Sequence, residues 1–252
     1  MSNMEVMFPD VKRTFLRKCP KCGSEIFHLS GTICGGKLVD QITECDCEID
    51  EGKRKNAIKL GKEIQKQKME GNLDSSGIRS GRYLNMLSEM FRGPNEAQFN
   101  RMMEWAQSFT EDTKDGFLIL GTPGTGKTMA SVKLLNEVIS QGYTGYIINA
   151  AEFYNMIRES YDTDSNVYQT IKAYENCDLL VLDDLGAEYD NEDSKSRIAE
   201  LLISRFGKDK PIIITSNLTL EMIRKRYGDR VASRLNGWIK RQVLKGPDMR
   251  SL

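Results

Sequence analysis

The sequence predicts an α/β protein, with a parallel β-sheet flanked by helices and a small cysteine-rich module at the N-terminal end. Three observations predict this arrangement. Short apolar runs alternate with helical patterns after residue 95, a glycine-rich loop separates one such run from an amphipathic helix, and five of the six cysteines lie between Cys19 and Cys47. Alternating strands and helices are typical of a parallel sheet. We therefore divide the chain into a cysteine module at 1–50, a basic helix and linker at 51–94, and an α/β domain at 95–252.

The predicted sheet has five strands, each a short apolar run of the kind expected when helices cover both faces. The predicted strands are Gly116–Leu120, Thr144–Asn149, Leu179–Asp183, Ile212–Ser216 and Ile239–Leu244. Apolar residues at helical spacing predict a helix over Glu96–Phe109. The Lys-rich residues 51–70 are typical of an exposed helix, and the Ser and Gly residues of 72–81 predict a flexible connection.

The composition is that of an ordinary globular protein. The 252 residues include 36 basic and 36 acidic side chains, so net charge alone does not indicate a nucleic-acid partner. The first ten residues, MSNMEVMFPD, have no apolar core behind a basic start, and no apolar run reaches the roughly 18 residues of a membrane span. We therefore expect a cytoplasmic protein without a membrane partner.

The glycine-rich loop has the spacing of a phosphate-binding P-loop. It reads Gly121, Thr122, Pro123, Gly124, Thr125, Gly126, Lys127 and Thr128. Such a loop turns its backbone N–H groups toward an anion, and the positive end of the next helix adds to the attraction. Lys127 would reach the β- and γ-phosphates, and the Thr128 hydroxyl would bind Mg²⁺. A glycine-rich turn that only joins strand to helix rarely carries Lys-Thr here, so the loop predicts ATP and Mg²⁺.

Polar side chains follow two other predicted strands. Asp183 ends an apolar run, where its carboxylate can hold Mg²⁺, and Asp184 could polarise the attacking water as a general base. The alternative is that this acid pair caps the next turn. Asn217 follows the strand that ends at Ser216, and its amide could orient the same water, although Ser and Asn are also common turn residues.

Arg230 and Arg234 are four residues apart and share one face of a predicted helix. In a ring or spiral of subunits, such a face can insert an arginine into the neighbour's nucleotide site. The alternative is that both arginines pair with acids of their own chain. The segment from Glu175 to Asp193 has eight acids and no basic residue, so it could face this basic helix in head-to-tail assembly.

The cysteine module has the spacing of a zinc site. Cys19 and Cys22 are separated by two residues, and Cys45 and Cys47 can complete a tetrahedral set of four thiolates. Cys34 or His28 could replace one of these ligands. Disulfides are the competing interpretation, but thiols of a cytosolic protein stay reduced, which favours zinc. A module with so few large apolar residues needs the ion for folding, so the zinc would be structural.

Four segments together resemble the AAA+ ATPases of the DnaC/IstB group, the bacterial and phage replicative-helicase loaders and their transposition relatives. They are GTPGTGKT, LLVLDDLG, TSN and GDRVASRL, and the resemblance covers residues 95–252. It implies a truncated lid, because only 35 residues follow Asn217. It also implies an arginine finger at Arg234 with Arg230 as companion, and a nucleotide-reading arginine at Arg250. Asp184 matches the group, whereas most AAA+ enzymes have Glu there.

The resemblance implies a helicase loader that places a DnaB-type hexameric helicase on single-stranded DNA during replication initiation. The subunits would form a spiral or ring and hydrolyse ATP at their interfaces, slowly in isolation, and the N-terminal zinc module would dock on the helicase. The sequence leaves two alternatives open. One is an IstB-like transposition ATPase that recruits a transposase to duplex DNA. The other is a zinc-based adaptor in which ATP acts only as a binding switch.

Overall fold

The chain consists of two compact units, Met1–Gln65 and Lys66–Leu252, called here the N-terminal unit and the C-terminal unit. The computed structural model describes residues 11–33, 37–43, 45, 47, 59–60, 63, 66–159 and 165–248. The predictions for Cys34 and Arg250 lie outside these residues. Residues 66–94, which the sequence analysis assigned to a basic helix and linker, belong to the C-terminal unit.

The N-terminal unit contains a three-stranded antiparallel sheet that the sequence analysis did not predict. Its strands are β1 (Val11–Lys18), β2 (Glu25–Ile33) and β3 (Lys37–Ile42), in the order β1-β2-β3. The turn between β1 and β2 is closed by the Gly23 N–H, which donates to the Cys19 carbonyl at 2.9 Å. Gly23 has φ +75°, which favours glycine. The buried apolar residues described in this unit are Cys19, Ile26, Leu29 and Cys45.

The C-terminal unit is built on a five-stranded sheet in which every neighbouring pair is parallel. Its strands are β4 (Gly116–Gly121), β5 (Gly145–Asn149), β6 (Leu179–Leu185), β7 (Ile212–Ser216) and β8 (Ile239–Leu244), in the order β5-β6-β7-β4-β8. The predicted parallel sheet is confirmed, and each strand begins and ends within two residues of its prediction.

Eight helices are described in the C-terminal unit, in addition to a helical segment at residues 66–75. They are α1 (Gly81–Ser88), α2 (Glu96–Gln107), α3 (Lys127–Ser140), α4 (Ala150–Glu159), α5 (Ser165–Asn176), α6 (Glu192–Gly207), α7 (Leu220–Tyr227) and α8 (Asp229–Trp238). None of the helices that the structure describes is both long and apolar enough to cross a membrane.

Helices cover both faces of the sheet, and this explains why its strands are continuous apolar runs. Leu180 and Leu182 of β6 pack into one core with Phe153 and Leu202. Leu179 and Val181 of the same strand pack into a second core on the other face. Successive side chains of a strand point to opposite faces, so both sets must be apolar when both faces are covered.

The predicted flexible connection at residues 72–81 is wrong. The helical segment continues to residue 75, and the Asn72 side chain donates to the Tyr143 carbonyl at 3.0 Å. The Ile147 N–H donates to the Ser76 carbonyl at 2.9 Å, and the Ile78 side chain is fully buried. Two apolar residues five positions apart, Leu73 and Ile78, give no periodic pattern among Ser and Gly, so the packing of this segment could not be predicted from its composition.

Candidate nucleotide-binding site

The predicted nucleotide-binding residues meet at one edge of the sheet. Strands β6, β7 and β4 are adjacent and parallel, so their carboxyl ends lie side by side. The P-loop leaves the end of β4, Asp183 lies near the end of β6, and Asn217 follows β7. In parallel α/β sheets, ligands bind at the carboxyl ends of the strands.

The P-loop backbone adopts a conformation that requires glycine. Gly124 and Gly126 have φ values of +79° and +90°, in the left-handed region. A Cβ at Gly126 would also lie 3.0 Å from the Phe91 ring. Helix α3 begins directly afterwards at Lys127, so the positive end of the helix adjoins the loop. This is the strand–loop–helix arrangement that the P-loop prediction required.

Lys127 is held inside the loop. Its side chain is only 5% exposed. The Nζ donates to the carbonyls of Gly121 and Thr122 and to the Oδ1 of Asn217, each at 2.8 Å. The structure therefore brings Asn217 against the P-loop lysine. Its role in orienting water stays a prediction.

Asp183 and Thr128 form an oxygen-rich pair that fits a magnesium ion. The Thr128 hydroxyl donates to Asp183 Oδ1 at 2.9 Å, and the Thr215 hydroxyl donates to the same oxygen at 2.7 Å. Hydroxyl and carboxylate oxygens are the ligands that Mg²⁺ prefers. Burial of the Asp183 carboxylate raises its pKa, and the negative charge of Asp184 acts in the same direction. A bound cation would offset both effects.

Asp184 has a left-handed backbone, with φ +54°, which is uncommon outside glycine. Its N–H donates to the Thr215 hydroxyl at 2.9 Å, and its carboxylate accepts from the Asn149 amide at 3.4 Å. Within the described residues, neither Asp183 nor Asp184 uses its carboxylate to cap the backbone of the following turn. The geometry thus gives no support to the capping alternative.

Two functional candidates on α1 were missed by the sequence analysis. The Arg82 Nη2 lies 3.2 Å from Asp183 Oδ2 and 4.0 Å from Asp184 Oδ2. The Tyr83 hydroxyl donates to Asp183 Oδ2 at 3.4 Å, and burial, together with the Asp183 charge, raises the pKa of Tyr83 to about 12. These contacts join residues about 100 positions apart, and no local spacing predicts them.

Asn95 is a third missed residue, and it connects the P-loop to the end of the sheet. Its side chain is buried. The Nδ2 donates to the Lys245 carbonyl at 2.9 Å and lies 3.5 Å from the Thr125 carbonyl, while Oδ1 accepts from the Lys245 N–H at 3.0 Å. Asn95 therefore fixes the P-loop against the backbone that follows β8.

Glu188 ties the loop after β6 to α7. The carboxylate is buried and accepts from the Gly186 N–H at 2.9 Å through Oε2. Its Oε1 accepts from Arg226 Nε at 3.0 Å and from the Tyr227 hydroxyl. Burial and the bond to Glu188 raise the pKa of Tyr227. We call this group, formed by Glu188, Arg226 and Tyr227, the Glu188 clamp.

The N-terminal unit carries a candidate metal centre. The Sγ atoms of the four predicted ligands, Cys19, Cys22, Cys45 and Cys47, lie within 4.8 Å of one another, and none is in a disulfide. The closest pairs are Cys45–Cys47 at 3.0 Å and Cys19–Cys45 at 3.3 Å. A tetrahedral ion with metal–sulfur bonds of about 2.3 Å holds its sulfurs roughly 3.8 Å apart, so the cluster needs only small shifts to take zinc.

The surroundings of Cys22 agree with this interpretation, whereas the pKa of Cys47 is raised, mainly by its contacts with the other three thiols. Hydrogen bonds from the side chain and backbone of Ser24 lower the pKa of Cys22 to about 6, which favours the thiolate that metals bind. His28 is not part of the cluster, because its Nε2 contacts Asp40 Oδ1. Cys177 is buried in the C-terminal unit, with its Sγ 3.2 Å from Arg205 Nη1.

Comparison with known proteins identifies the family. Residues 88–235 match the family described as IstB-like ATP binding protein. The chain belongs to this family. The replicative helicase loader DnaC of Escherichia coli strain K12 is 28% identical over 181 residues, which are 70% of this chain and 73% of that protein.

The AAA+ fold of this IstB-like protein is shared with solved structures. The crystal structure of the DnaC helicase loader superimposes with a TM-score of 0.59 at 23% identity, covering 66% of this chain and all of that chain. AMPPCP-bound DnaA from Aquifex aeolicus superimposes with a TM-score of 0.55 at 20% identity, covering 66% of this chain and 51% of that chain. At these identities the likeness shows the fold alone.

The two predicted finger arginines lie on α8 of this IstB-like chain. Arg230 is exposed, and Arg234 is half-buried with its guanidinium 5.8 Å from the Trp238 ring centroid. Neither forms an ion pair with any acid among the described residues, so the alternative of pairing within the chain receives no support. Both side chains are placed on an accessible helix, and their action on a neighbouring subunit stays a prediction.

The acid-rich segment from Glu175 to Asp193 was expected to face a basic helix of a neighbouring subunit, but its acids have basic partners in their own chain. Each of its eight acids forms an ion pair within the C-terminal unit. The pairs are Glu175–Lys208, Asp178–Lys210, Asp183–Arg82, Asp184–Arg82, Glu188–Arg226, Asp190–Lys195, Glu192–Lys195 and Asp193–Arg197. The segment therefore offers less unpaired charge to a neighbouring subunit than its sequence suggested.

Proposed function

We propose that this IstB-like protein is an ATP-dependent loader that binds a DnaB-type hexameric helicase and places it on single-stranded DNA. The observation that carries the proposal is the similarity to the replicative helicase loader DnaC over 70% of this chain. The family match over residues 88–235 spans the P-loop, Asp183, Asp184 and Asn217. An ATPase that recruits a transposase to duplex DNA is the second candidate, because the family is named for IstB-like proteins.

In the proposed reaction, the P-loop would hold the ATP phosphates and Lys127 would neutralise the β- and γ-phosphates. Thr128 and Asp183 would hold Mg²⁺, which would supply positive charge beside the transferring phosphoryl group. Asp184 accepts the proton of the attacking water, and Asn217 orients that water. Lys127 and Asn217 are already hydrogen-bonded at 2.8 Å, so the phosphate-binding and water-orienting groups are adjacent.

Arg234 would complete the site of the neighbouring subunit in a spiral or ring, with Arg230 beside it. Arg250 would read the nucleotide as a second sensor. The half-buried position of Arg234 against Trp238 supports this role, because packing restricts the side chain before it meets a phosphate. Zn²⁺ bound by the four cysteines would fold the N-terminal unit, which would dock on the helicase.

The main experiment measures partner choice. Full-length protein is used to capture partners from a host lysate with ATP and without it, and purified helicase is then loaded on circular single-stranded DNA. We expect capture of the hexameric helicase and ATP-dependent loading. Capture of a transposase, with preference for duplex DNA, would instead establish the second candidate.

The Arg234→Ala variant tests the site between subunits. We expect ATP turnover to fall by about 10³-fold or more, with nucleotide affinity almost unchanged, because an arginine finger stabilises charge only in the transition state. Arg224→Ala is the matched control, since Arg224 is exposed and pairs with Asp229 at 3.3 Å. Fast turnover by a monomer that is unaffected by Arg234→Ala would contradict the proposal.

Mixing two inactive variants separates action between subunits from action within one. Asp184→Asn removes the general base but keeps Arg234, whereas Arg234→Ala keeps Asp184. We expect their mixture to recover part of the ATPase activity, because an Asp184→Asn subunit offers its arginine to an intact neighbouring site. If both variants release their partner like the unmodified protein, ATP acts as a binding switch and hydrolysis is not required.

A further inference from the structure

The N-terminal unit carries a basic and aromatic surface that the nucleotide site does not use. Four of the eight residues of β1 are basic, namely Lys12, Arg13, Arg17 and Lys18, and none is acidic. Every side chain from Lys12 to Lys18 is exposed. Residues 11–43 contain six basic and two acidic residues, whereas the whole chain is balanced at 36 each. Positive charge is therefore concentrated on this sheet.

Aromatic rings lie among these basic side chains. Phe15 and Phe27 are directly opposite each other on β1 and β2, and their ring centroids are 5.9 Å apart in an edge-to-face arrangement. The Arg13 guanidinium lies 3.6 Å from the Phe27 ring centroid. Phe15 is 50% exposed, and the adjacent Leu16 is 46% exposed at an irregularity in the strand pairing.

We propose that one face of this sheet, on which Arg13, Phe15, Lys18 and Phe27 lie together, binds single-stranded nucleic acid. The chemistry fits that ligand in two ways. Exposed aromatic rings stack on unpaired bases without sequence preference, and a row of basic side chains follows the phosphates. Basic residues on an edge strand also prevent pairing with other chains, but that role does not require an exposed aromatic ring among them.

The proposal deepens the proposed function, because it assigns the DNA-binding role to a defined surface. Binding of single-stranded DNA and docking on a helicase use different properties of this surface, and each can be measured separately. A protein partner would be recognised through the apolar area of Phe15 and Leu16, whereas a base requires the flat ring. Replacement of Phe15 by a non-aromatic residue of similar size distinguishes these cases.

The experiment titrates full-length protein against a fluorescent strand of about 20 deoxythymidines, without helicase and without nucleotide. The same length of oligouridine and of duplex DNA provides the other arms. We expect Phe15→Ala and Phe15→Leu to weaken single-strand binding by roughly tenfold, and Phe15→Trp to retain it, because only the last keeps a stacking ring. Tyr168→Ala is the matched control, since Tyr168 is 60% exposed and lies 5.4 Å from Lys172 Nζ in the other unit.

The salt dependence tests the basic residues independently. The double variant Arg13→Ala and Lys18→Ala should reduce the slope of log affinity against log salt by about 1.4, because each phosphate contact on a single strand contributes about 0.7. Zinc content and ATP turnover of all variants should match the unmodified protein, which shows that both units are folded.

Three results would overturn the proposal. The first is a single-strand affinity that Phe15→Leu leaves unchanged, the second is equal or tighter binding to duplex DNA, and the third is an unaltered salt slope in the double variant. Loss of helicase capture with unchanged DNA affinity would show that the surface docks a protein. Because the titration contains no helicase, its outcome is independent of whether the chain loads one.

Discussion

The two units of this protein differ in how much apolar surface each buries in its interior. The C-terminal unit buries apolar side chains on both faces of its sheet, and all five residues of β7 are buried. The N-terminal unit has an exposed strand at one edge, and two of the four buried apolar residues that the structure describes there are cysteines. A unit of this size cannot bury enough apolar surface to offset the entropy of folding, so it needs a covalent or metal crosslink. One unit of the chain therefore has a large packed core, whereas the other has few buried apolar residues and a cluster of four cysteines that fits an ion.

Removal of zinc should produce the largest difference between the units. We expect a strong chelator, or Cys45→Ser, to make the N-terminal unit sensitive to protease at the basic residues of β1, because the four thiolates can no longer converge. Both tryptophans, Trp105 and Trp238, lie in the C-terminal unit, so the unfolding transition followed by their fluorescence should stay unchanged. Cys177→Ala is the control, with normal zinc content. An N-terminal unit that stays resistant after chelation would break the comparison.

A cavity in the core of the C-terminal unit should destabilise that unit and leave the cysteine site intact. Leu180 is fully buried in β6, and Leu180→Ala should lower the free energy of unfolding of the C-terminal unit by about 3 to 5 kcal/mol. Tryptophan fluorescence in a denaturant titration measures this change, and zinc content should stay normal. Leu84→Ala, at a site 49% exposed on α1, should leave the midpoint almost unchanged. Equal effects of the two substitutions would contradict the assignment of stability to core packing.

Glu188→Gln should have an intermediate effect within the C-terminal unit. The amide keeps the shape of the side chain but loses the charge that Arg226 requires, so we expect a loss of about 2 to 3 kcal/mol in the free energy of unfolding. The same titration of tryptophan fluorescence measures it. Glu192→Gln is the matched control, because Glu192 is 94% exposed beside Lys195. A Glu188→Gln variant as stable as this control would show that the clamp does not stabilise the unit.

The smallest expected effect is at the start of α6. Asn191 caps this helix by accepting a hydrogen bond from the Ser194 N–H at 2.8 Å. Asn191→Ala should cost about 1 kcal/mol, and Asn191→Asp should restore that loss, because a carboxylate accepts the same bond and suits the positive helix end. Thermal unfolding compares the two variants. If the Asp variant is no more stable than the Ala variant, helix capping is not how Asn191 contributes to stability.

Sequence patterns were informative where the interactions are local. The strands of the C-terminal unit were predicted because each is a continuous apolar run, and the cysteine set was predicted because its ligands occur in closely spaced pairs. The contacts of Arg82, Asn95 and Glu188 join distant parts of the chain, and no pattern of spacing encodes them. Strand β1 was missed because its exposed, basic residues lack the apolar alternation of a half-buried strand.

The Glu188 clamp links the strand that carries Asp183 and Asp184 to the helix that carries Arg234. It connects the segment after Asp184 with the end of α7, and α8, which carries Arg234, begins two residues after Tyr227. A change at the end of β6 would therefore be transmitted to the helix that carries Arg234. If Arg234 acts in the next site as proposed, turnover in one subunit resets the catalytic competence of the adjacent one, and hydrolysis would proceed through the spiral in a fixed order.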